Sequence, residues 1–297
     1  MTRVWAYVTE HFTSFLRNVE LTQSQRSDAM TKVHTVGRCL HAAYYLGAYN
    51  PGNVLVVGSY GKGTAIRPPT DIDILYLLPV AEYHRINQVF GNGQSQLLQE
   101  VKRELADTFP RTDLSADGQV VLAPFESFAV EIVPTFLCND GTYVTCHTAG
   151  GGSWRASNPK AEHNAIAVCD KACGNKATHL TKMLKAWKRT CNVPMKSIVL
   201  EIAACSFVWQ WQYRQQSIFW YDWMIRDFFT FLWQYRNGTA QIPGIQETIS
   251  LGDQWVSRCE SAYSRAAKAC EYEHIDCGIL AEDEWKKIFG DQFIRAS

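Results

Sequence analysis

The sequence predicts an α+β fold, in which a mixed sheet flanked by helices is followed by a helical lobe. Short apolar or alternating runs typical of strands lie between residues 54 and 133, among amphipathic helical stretches. Beyond Gly150-Gly151-Gly152 the alternation disappears and helical periodicity dominates to the end of the chain. We therefore expect two domains, residues 1–150 with a long N-terminal helix and residues 151–297 as a helical lobe.

The first half is expected to begin with helices. Segment 21–46 carries apolar residues at helical spacing, and the glycine, asparagine and proline residues at 47–52 end it. The elements expected next are a buried strand at 54–57, a strand at 71–78, helices near 82–89 and 94–108, and strands at 119–122 and 128–133. The first half is therefore expected to contain both α and β elements.

The second half is expected to be helical. Around residues 180–189 an apolar stripe faces a core, and three cations share the opposite side, facing solvent or a cleft: Lys182, Lys185 and Arg189. Spacing alone favours a solvated face for them. The aromatic-rich segment 217–235 is more typical of a core or an interface than of a surface on which bases stack.

The composition is that of a folded protein without a strong charge bias. The chain has 297 residues, of which 46% are hydrophobic and 20% charged, enough for one large or two intermediate domains. Its 29 basic residues equal its 29 acidic residues, so the chain lacks the positive field of nonspecific nucleic-acid binders. We therefore expect no requirement for long DNA or RNA.

The cysteines and the first residues indicate a cytoplasmic protein. Ten cysteines lack the paired spacing of a disulfide framework, and residues 1–10 lack the apolar stretch of a secretory signal, so we expect reduced thiols. The longest apolar stretches carry charges or amides, which excludes a membrane span. Cys169 and Cys173, near His163 and His179, raise zinc as an alternative, but their spacing fits a helix face and favours buried thiols.

A glycine loop and a pair of carboxylates carry the chemistry of the first half. Gly58 and Ser59 turn the chain after the apolar strand, so that backbone N–H groups and the Ser59 hydroxyl can donate hydrogen bonds to a triphosphate. In the next strand, the two-residue period sends Asp71 and Asp73 to one face. Because like charges this close repel unless a cation lies between them, the pair predicts a Mg²⁺ site.

A third acid is expected to complete this site. Glu131 is the only charge within the strand predicted at 128–133, and Glu126, beside Pro124 where that strand starts, is its nearest rival. If the two strands are neighbours, Asp71, Asp73 and Glu131 converge. Such a cluster can hold two metal ions that activate an attacking hydroxyl and neutralise a pyrophosphate leaving group. The sequence therefore predicts metal-dependent nucleotidyl transfer.

These motifs resemble those of a known family. The run 58–68 followed by Thr70-Asp71-Ile72-Asp73 resembles the active-site signature of the CD-NTase enzymes, the bacterial cyclic oligonucleotide synthases related to animal cyclic GMP-AMP synthase and oligoadenylate synthetase. Three later segments are also similar to family motifs: 152–163, with Trp154, Asn158-Pro159 and His163; 184–188; and 285–293. The resemblance thus spans most of the chain.

The resemblance implies a fold and a set of roles. It implies a polymerase-β-like nucleotidyltransferase core, an oligoadenylate-synthetase-like helical lobe and a cleft between them. Asp71 and Asp73 would bind both metal ions, and Glu131 would fill the third acidic position, where many relatives carry Asp. The nucleotide-binding residues it implies are Gly58 and Ser59 on the donor triphosphate, Lys185 on the donor phosphates with Lys182 assisting, and Ser197 near the donor.

The activity implied is synthesis of a cyclic di- or trinucleotide second messenger from ribonucleoside triphosphates with Mg²⁺, or Mn²⁺ in its place. In relatives this signal activates a downstream effector that limits phage spread, and an activating or regulatory protein partner is a further expectation. The alternatives are a nucleotidyltransferase that modifies tRNA, an antibiotic or a protein, and a catalytically silent nucleotide-binding module. The segments around Trp154, Lys185 and Trp285 favour the cyclic-nucleotide branch.

Overall fold

The computed structural model describes residues 5–294, and helices and strands alternate along this part of the chain. The helices are α1 Val8–Val19, α2 Gln23–Tyr44, α3 Gly58–Gly61, α4 Val80–Asn87, α5 Gly93–Thr108, α6 Pro159–Cys173, α7 Lys176–Thr190, α8 Ser197–Gln210, α9 Tyr221–Trp233, α10 Val256–His274 and α11 Gly278–Phe289. The strands are β1 Val54–Val56, β2 Asp71–Leu77, β3 Ser115–Asp117, β4 Val120–Pro124, β5 Ala129–Leu137, β6 Tyr143–His147, β7 Ser153–Ser157, β8 Thr239–Gln241 and β9 Thr248–Ser250. The predicted α+β fold is confirmed.

The described residues form two compact units. The sheet unit comprises residues 21–63 and 68–160, and the helical unit comprises residues 5–20, 64–67 and 161–294. The expected domain limit at residue 150 lies close to the end of the sheet unit. However, α1 groups with the helical unit, because its apolar side chains, Phe12 and Phe15 among them, are fully buried in that unit's core.

The sheet unit is built on β2 and β5. Its strand order is β1-β2-β5-β4-β3, and β6 joins β5 to β7. Along β2, the side chains of Ile72 and Ile74 are buried, in a core that also takes residues of α2 and α5, while Asp71 and Asp73 stay partly exposed. β2 and β5 run parallel, with Asp73 opposite Glu131. This pairing brings two strands that are distant in the sequence side by side.

Among the residues described, three short strands follow Gly150, in the part of the chain where helical periodicity dominates. β7 follows Gly152 and pairs antiparallel with β6, and β8 and β9 form a separate hairpin later in the chain. The sequence of β7, Ser-Trp-Arg-Ala-Ser, has no apolar alternation, and most of its side chains are exposed or partly exposed. Such an edge strand is held by backbone pairing to its neighbour rather than by a hydrophobic face, so periodicity does not reveal it.

The helical unit has an aromatic core. Trp187, Trp255 and Trp285 are fully buried, and the rings of Trp187 and Phe229 lie 4.9 Å apart. Much of the aromatic segment 217–235 lies in this core, which confirms that interpretation. None of the helices described combines the length and the apolar composition that crossing a membrane requires.

Cys169 and Cys173 are buried thiols on α6. Their pKa values are raised, through neighbouring thiols and burial for Cys169 and mainly through burial for Cys173. Within residues 5–294, no group of three histidine, cysteine or acidic side chains around them is close enough to share an ion. Buried, protonated thiols, rather than a zinc site, therefore describe this pair.

Candidate active site

Three carboxylates converge on one face of the sheet unit. β2 carries Asp71 and Asp73, β5 carries Glu131, and one oxygen from each lies within 4.8 Å of the others. All three side chains are partly buried. The rival acid, Glu126, is exposed and lies before β5 begins. The expected convergence is confirmed, and the role of these acids as metal ligands stays a prediction.

The cluster is electrostatically unfavourable without a cation. Burial raises the pKa of Glu131 to about 7, and the negative charges of Asp73 and Asp71, with a hydrogen bond to Asp73, add to the effect. One of three carboxyl groups therefore tends to hold a proton near neutral pH. A divalent cation bound by these oxygens would remove that cost, and hard carboxylate oxygens are the ligands that Mg²⁺ and Mn²⁺ take. The residues present fit a divalent metal.

Gly58 makes room for the Asp73 carboxylate. The chain leaves β1 with the Val57 N–H bonded to the carbonyl of Asp73 at 2.9 Å, and Gly58 then adopts a positive φ of +56°. A Cβ atom at Gly58 would lie 1.8 Å from Asp73 Oδ2, far inside contact distance. Ser59 follows as the second residue of α3, with a partly buried side chain. The loop is thus shaped around the acid on the neighbouring strand.

The two lysines of α7 lie in the helical unit and are largely buried. Lys182 Nζ is 2.7 Å from Glu20 Oε1, and 7% of the lysine side chain is exposed. Lys185 Nζ is 3.0 Å from Glu201 Oε1, and 10% of its side chain is exposed. A solvated charge row, which spacing alone favours, does not describe them, although Arg189 on the same helix is exposed. Both ammonium groups are held by buried or partly buried acids.

Ser197 begins α8 in the same unit. Its hydroxyl accepts a hydrogen bond from Lys188 Nζ at 3.3 Å, and its side chain is partly buried. The contact links the start of α8 to a cation near the end of α7. Its expected place near a donor nucleotide stays a prediction.

Two polar residues of this region were missed by sequence reasoning. Thr64 is fully buried, and its hydroxyl donates to Glu201 Oε1 at 3.0 Å and accepts from Lys185 Nζ at 2.9 Å. Neither Thr64 nor Glu201 is among the site residues that the sequence predicts. The signal that could have found Glu201 is a lone acid in α8, whose other residues are apolar or uncharged.

The raised pKa of Glu131 predicts how the metal-free protein responds to pH. Between about 4.5 and about 7 this carboxyl holds its proton in the folded protein and loses it in the unfolded chain. The stability it contributes is therefore complete below that window and is lost as the pH rises through it. We expect the melting temperature of the metal-free protein to fall across this range, and added Mg²⁺ to reverse the fall.

Glu131→Gln provides the control, because the amide does not titrate. His179, whose pKa burial lowers, acts in the opposite direction in an overlapping range, so the informative quantity is the difference between wild type and variant. Melting curves in EDTA and in Mg²⁺ at several pH values measure it. Equal pH dependence of the two proteins would contradict the electrostatic description of the cluster.

Comparison with known proteins finds the same fold in nucleotide-joining enzymes. A family model, the Second Messenger Oligonucleotide or Dinucleotide Synthetase domain, matches residues 7–169. A probable cyclic nucleotide synthase of Bacillus cereus (strain VD146) is 20% identical over 288 residues, and the match covers 82% of this chain and 83% of that protein.

Two solved structures extend the comparison. The cyclic AMP-GMP synthase DncV of Vibrio cholerae superposes with a TM-score of 0.74 at 12% identity, covering 98% of each chain. CdnC of E. coli MS115-1, solved with ATP, gives 0.65 at 17% identity and covers 99% of this chain and 100% of its own. CdnC has also been solved in a complex with HORMA-deltaN. At these identities the structures show a shared fold.

Proposed function

Because the chain belongs to the Second Messenger Oligonucleotide or Dinucleotide Synthetase family, that of the CD-NTases, we propose that it joins ribonucleoside triphosphates into a cyclic di- or trinucleotide second messenger. The observation that supports the proposal is the convergence of Asp71, Asp73 and Glu131. This cluster lies beside Gly58, where the absence of a side chain leaves room for the Asp73 carboxylate. A ribose hydroxyl of the acceptor attacks the α-phosphorus of the donor. The new oxygen–phosphorus bond replaces the bond to pyrophosphate, which leaves.

Each residue of the sheet unit has a task in this proposal. Asp71, Asp73 and Glu131 would hold two divalent ions, Mg²⁺ or in its place Mn²⁺, which lower the pKa of the attacking hydroxyl and offset the charge of the leaving group. Glu131 is the acid assigned to the side of the attacking hydroxyl. The backbone at Gly58 and the hydroxyl of Ser59 bind the donor triphosphate, and this positioning supplies much of the rate.

Residues of the helical unit supply positive charge in the same proposal. Lys185 binds donor phosphates, Lys182 contributes charge one turn earlier, and Ser197 offers a hydroxyl. Their buried or partly buried settings favour fixed rather than freely rotating groups, which lowers the entropy lost when a nucleotide binds. A later transfer, which uses the same chemistry, closes the ring.

The biological setting is proposed from relatives. Since CdnC forms a complex with HORMA-deltaN, we assign this chain an activating or regulatory protein partner of its own. Its product would act on a downstream effector in cytoplasmic anti-phage signalling. No long nucleic acid is needed, because the formal charge of the chain is balanced at 29 basic and 29 acidic residues.

The test is product analysis. Purified protein is incubated with Mg²⁺ and all four ribonucleoside triphosphates, the mixture is treated with phosphatase, and resistant species are identified by mass spectrometry, with Asp73→Asn as the inactive control. We expect a cyclic product that wild type makes and the variant does not. Labelling of tRNA, an antibiotic or a protein instead would contradict the proposal, as would triphosphate binding without any transfer in the presence of the protein partner.

A further inference from the structure

Thr64, Lys185 and Glu201 are buried or largely buried in the helical unit and contact one another. The Lys185 ammonium donates to the Thr64 hydroxyl at 2.9 Å, that hydroxyl donates to Glu201 Oε1 at 3.0 Å, and the same oxygen lies 3.0 Å from Lys185 Nζ. Thr64 is 0% exposed and Glu201 3% exposed. The ammonium of Lys185 is thus held by both the Thr64 hydroxyl and the Glu201 carboxylate.

Thr64 also starts a loop segment that is held at both ends. Residues 64–67 group with the helical unit, although the residues on either side of them belong to the sheet unit. At the other end of this segment, the Arg67 N–H donates to the Val19 carbonyl at 2.7 Å and its guanidinium donates to the Arg17 carbonyl at 2.8 Å. The Gln292 amide donates to the Arg67 carbonyl at 2.9 Å. The segment therefore has a defined place in the helical unit.

A contribution to the stability of the fold does not by itself account for this buried ion pair. A buried ion pair contributes little net stability, because desolvation of both charges offsets their attraction. It does restrict the long side chain of Lys185, so that rotamer freedom is already lost in the folded protein. An opposite charge also favours the charged form of a buried lysine. Lys185 is therefore held in place and kept positively charged in the folded protein, and both properties favour binding of an anion.

The position of Thr64 in the chain links it to the proposed chemistry. It follows Ser59 by five residues and precedes Asp71 by seven, so it lies in the connection between α3, which carries Ser59, and β2, which begins at Asp71. The hydroxyl of Thr64 accepts a hydrogen bond from Lys185, the lysine assigned to the donor phosphates. Neither Thr64 nor Glu201 needs to touch a nucleotide in order to affect how one binds.

We propose that Thr64 and Glu201 are positioning residues, which hold the Lys185 ammonium ready for the donor triphosphate. This inference rests on the proposed function, because it takes the anion to be a nucleoside triphosphate. It predicts that loss of the Thr64 hydroxyl weakens triphosphate binding more than it slows the chemical step, and that the loss acts through Lys185.

Thr64→Val tests the proposal, because valine has the shape of threonine without its hydrogen bonds. The matched control is Thr181→Val in α7, where the hydroxyl is also fully buried and makes no hydrogen bond to any group of residues 5–294. We expect the KM for the triphosphate to rise about 10-fold in Thr64→Val with a much smaller change in kcat, and to stay at the wild-type value in Thr181→Val. Thr64→Ser, which restores the hydroxyl, should restore the KM.

A second measurement separates positioning from general loosening of the fold. Binding of a nonhydrolysable triphosphate is measured by calorimetry for Thr64→Val, Lys185→Met and the double variant. If Thr64 acts through Lys185, the two effects are not additive, and Thr64→Val changes the affinity less than about 2-fold once the lysine is absent. Glu201→Gln, which keeps the shape and an acceptor for Thr64, should weaken binding in the same direction as Thr64→Val.

The outcomes are distinct. Wild-type affinity in Thr64→Val, equal losses in Thr64→Val and Thr181→Val, or additive effects in the double variant would each overturn the positioning role while the proposed function stood. A wild-type protein that binds no triphosphate would instead contradict the proposed function itself, and this inference with it.

Discussion

Asp73→Asn is expected to lower product formation by about 1000-fold or more, equivalent to ~4 kcal/mol of transition-state stabilisation, while the protein stays folded. Asp73 lies opposite Glu131 in the β2–β5 pair, and its oxygen is one of the three that converge. The amide keeps the shape of the side chain but removes the charge that a divalent ion requires. The metal-free variant should melt no lower than wild type, because one source of repulsion is gone.

Product formation and the Mg²⁺-induced rise in melting temperature measure this effect together. Asp117→Asn is the matched control, since it makes the same chemical change at an exposed position of β3, outside the cluster. We expect it to retain wild-type activity and the full Mg²⁺ response. A variant at Asp73 that still makes product, or still gains stability from Mg²⁺, would show that the metal lies elsewhere.

Gly58→Ala is expected to cost both activity and stability. A left-handed backbone at φ +56° costs a non-glycine residue about 1 kcal/mol. In addition, the new Cβ would lie 1.8 Å from Asp73 Oδ2 and 2.6 Å from its Cγ, so the carboxylate or the loop must move. Because a displacement of about 1 Å at a catalytic group can cost about 100-fold in rate, we expect a loss of at least that size.

Gly63→Ala separates the two contributions. Gly63 also has a positive φ, +69°, but no atom of the described part of the chain lies within 4 Å of a Cβ placed there. It should therefore show the backbone cost of about 1 kcal/mol in chemical denaturation with a far smaller loss of activity. If Gly58→Ala and Gly63→Ala lose the same activity, the approach of Gly58 to Asp73 does not matter for catalysis.

Glu131 shows how far the sequence could predict the site. Its place as the only charge within a predicted strand singled it out over Glu126. However, convergence with Asp71 and Asp73 depended on whether the two strands are neighbours, which the local pattern does not state. The parallel pairing of β2 with β5 decided this. The closeness of Gly58 to Asp73 likewise depends on a contact between residues that are distant along the chain.

The lysines of α7 show where local pattern was insufficient. Helical spacing placed Lys182 and Lys185 on a common side, opposite the apolar stripe, and favoured solvent there. The folded chain instead surrounds them with Glu20, Glu201 and Thr64, which come from other segments. The helical period predicts which residues share a face of the helix. Tertiary packing determines which other segments contact that face.

Local sequence patterns were enough to predict the fold class, the Gly58-Ser59 turn and the shared face of Asp71 and Asp73, because these follow from composition and from periods of two or 3.6 residues within one element. The folded chain was needed to identify the partner strand of β2, the addition of β7 at a sheet edge, the grouping of α1 and residues 64–67 with the helical unit, and the buried contacts of Lys185. These features depend on pairing and burial between distant segments, and no local pattern contains the free energy of such contacts.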